Sequence, residues 1–341
     1  MTVLANSVTA ALFLGVVVYA LFGGADFGSG LFDATAGGSR RGAALRTLID
    51  HSIGPVWEAN HVWLIYVLVI WWTGFPTAFA AVTTTLVVPL FLALLGIVLR
   101  GAAFVFRKYA ATLAQAQLFG VVFAGASLIT PFFLGTVAGA IASGRVPATG
   151  YGPLWSSWLH PTSLFGGLIA VGTCSVLAGV FLTADADRGG DHALTEQLRR
   201  RTLLVGSATG VLVFAALIPI TRDAPTLSDG LLGRAAPLIA VSGIAGAATL
   251  ALLHRHRPAA ARVTAVGAVA SVVIGWGTAQ YPWMLVDEMT ISQAAGAPAT
   301  LTGLLIVVAL AGVLVLPPLV YLFRLTQSEA WGPSRHQPSS P

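Results

Sequence analysis

Charged residues are scarce in this sequence of 341 residues: Asp, Glu, Lys and Arg make up 9% of it, whereas 56% of the residues are hydrophobic. A soluble domain carries about a quarter of its residues as charged side chains. Too few charges are present to cover a water-facing surface, so the composition excludes an ordinary soluble domain and indicates a membrane protein. The 38 glycines are typical of helices that pack closely within a bilayer.

Cysteine is also nearly absent. Cys174 is the one cysteine of the sequence, which excludes an internal disulfide and any metal cluster that needs several cysteines. It lies in an apolar stretch, where a packing role is expected. The first ten residues, MTVLANSVTA, contain no Lys or Arg. Because a secretory signal peptide has a basic segment before its apolar core, none is predicted.

Long apolar runs dominate the rest of the chain. Crossing the hydrocarbon core takes a helix of roughly 20 apolar residues, and backbone polar groups cannot stay unpaired in lipid. The sequence therefore predicts an all-α polytopic membrane protein, with a single membrane domain over 1–325 and a disordered cytoplasmic tail over 326–341. The nine predicted spans are 8–33, 53–74, 77–100, 116–142, 160–183, 202–221, 234–253, 262–284 and 299–323.

The distribution of Lys and Arg predicts the orientation of these spans. Basic residues concentrate in the cytoplasmic loops of membrane proteins, so the N-terminus is predicted outside and the C-terminus in the cytoplasm. The net charge of +5 then reflects membrane topology rather than nucleic-acid binding. The two longer basic loops lie four spans apart, which indicates two four-helix bundles plus one extra helix. All but three of the 18 Lys and Arg residues fall on the predicted cytoplasmic side; the three are Arg145, Arg222 and Arg234.

Two carboxylates fall within predicted spans, whereas the other acidic residues are expected in loops. Asp26 and Glu58 lie near the cytoplasmic ends of the first two spans, each roughly 8–10 Å inside the edge at 1.5 Å per residue. A carboxylate within a span is costly to insert and is therefore a candidate for function. Two at similar depth indicate a route for protons from the cytoplasm. The alternative is a helix-capping or headgroup-binding role.

His61 follows Glu58 by three residues, so both lie on one helix face. A carboxylate beside an imidazole suits proton relay, and Asn60 can hold the carboxylate or a water. Trp57 and Trp63 complete this candidate site. Haem ligation by His61 is the sharper alternative, but no second histidine lies clearly inside a span. No catalytic residue, metal site or cofactor-binding residue is predicted in this chain.

Two motifs carry a resemblance to a known family. The segments GGADFGSGLFD (23–33) and SIGPVWEANHVWLI (52–65), the latter followed by TGFP (73–76), resemble the signatures of subunit II of cytochrome bd-type quinol oxidases. The segments HPTSLFGGL (160–168) and YPWM (281–284) and the last span are also similar to that family. The resemblance is strongest at the two N-terminal motifs and looser over 185–275.

The resemblance implies a function that the residues alone do not. In that family, a haem-free subunit II pairs with a similar subunit I, which holds the quinol site and the haems of b and d type. The complex is a proton-translocating quinol:oxygen oxidoreductase of the bacterial cell membrane, and it takes protons from the cytoplasm. Glu58 and Asp26 match the acidic positions of its two motifs. The EANH form, with His61, is similar to the cyanide-insensitive branch, which leaves open a partner with b-type haems only.

Two other functions remain open from the sequence. A proton-coupled secondary transporter also uses carboxylates within broken helices, although Asp26 and Glu58 lie near one edge rather than at the midplane. A purely structural assembly subunit would use both carboxylates to hold an interface. The expected partners are subunit I, its quinol and membrane lipid, without nucleic acid; a small third subunit and the type of quinone stay open.

Overall fold

The computed structural model describes residues 1–38, 40–53 and 57–326 of the chain. Within these ranges most residues are helical, and the two short strands form one hairpin. The first half contains α1 (Thr2–Ala34), α2 (Ala43–Ile53), α3 (Trp57–Gly74), α4 (Pro76–Thr85), α5 (Val87–Lys108), α6 (Leu113–Ala142) and α7 (Pro161–Arg188). The second half contains α8 (His192–Asp223), α9 (Pro225–Leu232), α10 (Ala236–His254), α11 (Pro258–Gln280), β1 (Trp283–Leu285), β2 (Met289–Thr290), α12 (Ile291–Ala294), α13 (Pro298–Leu314) and α14 (Leu316–Thr326).

The predicted all-α membrane fold is confirmed. Eight helices of the described chain are long and apolar enough to cross a membrane. The pair formed by α2 and α3, whose axes differ by 53°, makes a ninth when it is counted as one span. The predicted orientation and the division into two bundles stay predictions. Of the predicted cytoplasmic tail, residues 327–341 lie outside the described residues.

The third span differs from its predicted range of 77–100. A break after Thr85 separates α4 from α5, and α5 continues to Lys108. The break follows from Pro89, which has no N–H to donate to the carbonyl four residues earlier and whose ring crowds that carbonyl. Because α5 extends beyond the predicted end, Arg100 lies within the helix and is only 2% exposed, whereas the sequence had placed it at the cytoplasmic edge.

Helix α1 occupies a central position, since it packs against α3, α6, α7, α11 and α13. Small residues allow its backbone to approach its neighbours closely. A Cβ atom at Gly28 would lie 1.9 Å from the backbone oxygen of Cys174 on α7. One at Gly30 would lie 2.3 Å from the Cβ atom of Ser127 on α6. Gly30 lies one turn after Asp26 on the same face of α1, so the second contact holds that face against α6.

Candidate functional site

The first feature of the candidate site is a buried ion pair between α1 and α5. Asp26 and Arg100 are 3% and 2% exposed, and Nη2 of Arg100 lies 2.6 Å from Oδ1 of Asp26. The same nitrogen donates to the backbone oxygen of Asp26 (3.3 Å), while Nε donates to the hydroxyl of Ser127 (3.1 Å). The guanidinium group also lies 5.0 Å from the ring centre of Phe27 and 5.1 Å from that of Phe123. These partners offset the cost of burying two charges.

A second set of ion pairs lies nearer the C-terminal end of α1, which is the predicted cytoplasmic end. Asp33 is 3% exposed and accepts hydrogen bonds from Nε of Arg46 (2.8 Å) and from Nη1 of Arg107. Arg107 also donates to Asp50 of α2. The pairs Asp26–Arg100 and Asp33–Arg107 are each separated by 74 positions. The two acids lie seven residues apart on α1, and the two arginines lie seven residues apart on α5. We call these two pairs the ion-pair ladder.

Sequence reasoning missed three members of this ladder. Arg100 and Arg107 were counted among the topology-setting cations, and Asp33, the last residue of the first predicted span, was grouped with the loop acids, although it belongs to the last turn of α1. One signal in the sequence does indicate Asp33. A separation of seven residues spans two helical turns, so Asp33 lies on the same face of α1 as Asp26.

Glu58 lies in the first turn of α3 and is exposed on the surface of the chain. Within the described residues, its carboxylate has neither a hydrogen bond nor an ion pair. Asp26 pairs with Arg100 of α5, so the two carboxylates singled out from the sequence are not direct partners. A carboxylate on the outer surface of a membrane helix needs water or another protein chain beside it.

His61 is enclosed by aromatic rings rather than paired with Glu58. Its Nδ1 lies 2.8 Å from the backbone oxygen of Trp57, one helical turn earlier. The ring meets those of Tyr19, Phe27 and Trp57 edge-on, with centroid distances of 6.3, 5.7 and 6.2 Å. Asp26 precedes Phe27 directly, so these contacts bring the candidate residues of α3 to the segment of α1 that carries Asp26.

Asn60 is the buried polar residue of α3. It is 4% exposed, and its Nδ2 lies 3.5 Å from the backbone oxygen of Phe22 on α1. Its Oδ1 is buried and has no hydrogen-bond partner in the described part of the chain. Trp63 packs its ring edge-on against Tyr66, with centroids 5.9 Å apart. Asn60 and His61 therefore face α1, while Trp63 packs along α3 itself.

The donor set gives no support for a metal centre. Among the described residues, no group of three or more His, Cys, Asp or Glu side chains is arranged to hold a metal ion. One nitrogen of His61 already faces a carbonyl of its own helix, and aromatic side chains flank its ring. Among the described residues, the rings in contact with His61 belong to Tyr19, Phe27 and Trp57 and not to a second histidine, so they do not fit a haem held by two histidines. The absence of haem from this chain stays a prediction.

At the predicted outer side, His160 lies between a cation and an anion. Nη2 of Arg145 donates to Nε2 of His160, and Nδ1 of His160 lies 3.6 Å from Oδ2 of Asp223. Thr162 donates to the same carboxylate (3.3 Å). This contact joins the start of α7 to the end of α8. Burial and the neighbouring Arg145 lower the pKa of His160, and Asp223 opposes them.

Acidification should therefore weaken the outer end of α7. Because the folded protein holds the pKa of His160 below its unfolded value of about 6.5, the unfolded chain binds more protons as the pH falls. The stability that neutral His160 contributes is present above about pH 6.5 and is lost below it. Thermal unfolding of the purified protein should show this loss, and His160→Gln should reduce it. An unchanged pH profile in that variant would contradict the assignment.

Comparison with known proteins gives consistent results. A sequence profile described as cytochrome bd terminal oxidase subunit II matches residues 4–326. The chain is 34% identical over 129 residues to cytochrome bd ubiquinol oxidase subunit 2 of Bacillus subtilis (strain 168); this match covers 38% of the chain and 36% of that relative. A chain of the bd oxidase structure from Geobacillus thermodenitrificans shares the fold, with a TM-score of 0.81 and 24% identity over 96% of this chain and 99% of that one.

Proposed function

The chain belongs to the family of cytochrome bd terminal oxidase subunit II, and from this premise we propose that it is the haem-free subunit of a quinol:oxygen oxidoreductase. The family match thereby confirms the resemblance indicated by the motifs at 23–33 and 52–65. The prediction of a multi-pass protein of the bacterial membrane is also confirmed. In the proposed complex, haems of the partner subunit oxidise quinol and reduce oxygen. This chain supports that partner and helps to deliver protons from the cytoplasm.

The surface of α3 supports the pairing with another membrane subunit. Starting at Glu58, exposed residues recur at intervals of four and three, which places them along one face of the helix. A face with this spacing is suited to a neighbouring helix, and Glu58 at its end would be shielded from lipid by that neighbour. The apolar members of the face are Val62 (52% exposed), Ile65 (59%), Val69 (48%) and Trp72 (65%).

The arrangement of Glu58, His61 and Asp26 supports a role in proton uptake. Glu58 lies in the first turn of α3, next to the predicted cytoplasmic edge, where water can reach it. Asn60 and His61 lie less than one turn further along the same helix and face α1. Asp26 then lies behind them with one buried oxygen that has no partner among the described residues. We infer that protons pass from Glu58 along this side of α3 towards Asp26, with Trp57 and Trp63 as packing residues.

The family match favours the oxidase subunit over the two other functions considered from the sequence, a secondary transporter and a purely structural assembly subunit. A secondary transporter places its carboxylates near the midplane and uses inverted repeats, whereas in the sequence Asp26 and Glu58 lie near one edge of their predicted spans and no inverted repeat is apparent. A purely structural subunit remains the closer rival, because buried Asp26 is fully compatible with it. Separating it from proton uptake requires variants that assemble normally and turn over slowly.

Copurification tests the subunit assignment. Tagged chain expressed in its native membrane should purify with a haem-bearing partner, and the pair should show a haem absorption spectrum and oxidise quinol. The isolated chain should show no haem absorption. Purification of this chain without any haem protein, together with solute transport in vesicles, would overturn the assignment. A haem spectrum from the isolated chain would contradict its haem-free role.

A further inference from the structure

Three buried oxygen atoms at the contact between α1 and α3 have no hydrogen-bond partner among the described residues. They are the hydroxyl of Tyr19, Oδ2 of Asp26 and Oδ1 of Asn60. Nearly all buried polar atoms in native proteins are hydrogen-bonded, to protein or to ordered water. Three such atoms in one region therefore indicate that a small polar molecule forms hydrogen bonds with them.

The residues that carry these three atoms meet where α1 contacts α3. Tyr19, Phe22 and Asp26 are spaced by three and four residues and so occupy one face of α1. The side-chain amide of Asn60 lies 3.5 Å from the backbone oxygen of Phe22, the middle residue of that row. Asn60 thus contacts α1 between Tyr19 and Asp26.

The ring of Tyr19 lies over Gly23, in the turn that precedes Asp26. Helical side chains commonly point back towards the N-terminus, but this ring lies over the next turn. A Cβ atom at Gly23 would be only 2.8 Å from Cε2 of Tyr19. The ring centres of Tyr19 and Phe27, the residue after Asp26, are 6.5 Å apart. The glycine at position 23 therefore leaves room for the ring on the side of α1 that also carries Asp26.

We propose that Tyr19, Asp26 and Asn60 bind one internal water molecule. The hydrogen-bonding groups at this site match those of a water molecule. Oδ2 of Asp26 and Oδ1 of Asn60 only accept hydrogen bonds, so each can accept one from the water. The hydroxyl of Tyr19 can donate to the water oxygen. Buried waters typically make about three such bonds. The site exists independently of the proposed proton uptake, whereas its role rests on that function.

In that role, the water connects α3 to Asp26. A proton arriving along α3 forms hydronium at the site, and transfer of that proton to Oδ2 of Asp26 leaves neutral water and a protonated carboxyl group. Oδ1 stays bonded to Arg100 throughout. Tyr19 is a positioning residue, because its hydroxyl orients the water without itself carrying the proton.

The direct test is a high-resolution structure of the complete oxidase by electron cryomicroscopy. We expect a density peak about 3 Å from all three oxygens, and its loss in Tyr19→Phe, which keeps the ring and removes the hydroxyl. The site is overturned if the peak is absent from a map that resolves other internal waters. It is also overturned if Tyr19 donates directly to Asp26, or if a side chain of another subunit fills the position.

Kinetics test the role. Tyr19→Phe should slow oxygen reduction about threefold to tenfold, the equivalent of one lost hydrogen bond, and should enlarge the solvent deuterium isotope effect. Tyr66→Phe is the matched control, because it removes a hydroxyl that donates to the backbone of Ala11 in the same helix contact (3.0 Å), and it should leave the isotope effect unchanged.

The outcomes separate the site from the function. If Glu58→Gln slows turnover while Tyr19→Phe changes neither density nor rate, the water site is wrong and the proposed proton uptake stands. If the water is seen but Glu58→Gln and Tyr19→Phe are both silent in turnover, the site stands and the proton route is wrong. Slower turnover in both variants, with loss of the water in Tyr19→Phe, supports both.

Discussion

Replacing Arg100 by leucine should prevent the folded subunit from accumulating. The substitution leaves Asp26 buried at 3% exposure without its counter-charge, and removing one partner of a buried ion pair costs about 3–5 kcal/mol. It also leaves the hydroxyl of Ser127 without its donor. The measurement is the yield and thermal stability of the detergent-purified complex. Arg100→Lys should be intermediate, because an ammonium group does not reproduce the planar fork that contacts both residues.

A double variant makes this prediction specific to charge pairing. Asp26→Leu combined with Arg100→Leu removes both charges and should recover much of the lost stability, since apolar replacement of a whole pair is often neutral or better. Arg255→Leu is the control, because it removes the same charge from an exposed position. If the double variant is as unstable as Arg100→Leu alone, the pair does not stabilise the subunit in the way proposed here.

Glu58→Gln should lower the oxygen-reduction rate of the assembled complex by about 100-fold, the lower end of the range for a group that transfers protons. Glutamine preserves the size and polarity of the side chain but cannot take up a proton. Because Glu58 is exposed on the isolated chain and has no partner among the described residues, folding should be little affected. Oxygen consumption at saturating quinol, measured across pH, gives the rate, and Glu58→Asp should retain part of it.

The control for Glu58 is another carboxylate near the predicted cytoplasmic surface. Glu196→Gln removes an acid that is bonded to Arg199 and Arg200, and turnover should stay at the wild-type level. Unchanged turnover and pH dependence in both Glu58→Gln and Glu58→Ala would rule out the proton role. Slow turnover in a variant that fails to assemble would instead favour the structural rival.

The membrane fold was predictable because apolar length is a local property of the sequence. Runs of about 20 apolar residues define spans without any knowledge of their neighbours, and eight long helices plus the α2–α3 pair correspond to them. The ion pairs were not predictable in the same way. A charged residue near the end of an apolar run is taken as the edge of a span, and whether Arg100 has a partner depends on a helix 74 positions away.

The candidate site shows the same division. Asp26 and Glu58 stood out because carboxylates are rare in spans, and that rarity is visible in the sequence. Their partners were not visible, since pairing with Arg100 or exposure at the surface is decided by how the helices pack. Tyr19 gave no signal of its own, because a tyrosine in an apolar helix is usually a packing residue. The glycine at position 23 leaves room for its ring in the turn that precedes Asp26, and that fit depends on the side-chain conformation rather than on the sequence pattern.

The ion-pair ladder has a consequence for motion. Its two pairs repeat with the same spacing on α1 and α5, so the two helices run in the same direction and their pairs lie about 10 Å apart along the axes. Sliding α5 past α1 by a single turn would separate both arginines from their carboxylates at once. Two anchored points also prevent one helix from pivoting about the other. We therefore expect α1 and α5 to move together during turnover, with displacement between helices occurring along other contacts, such as that of α3.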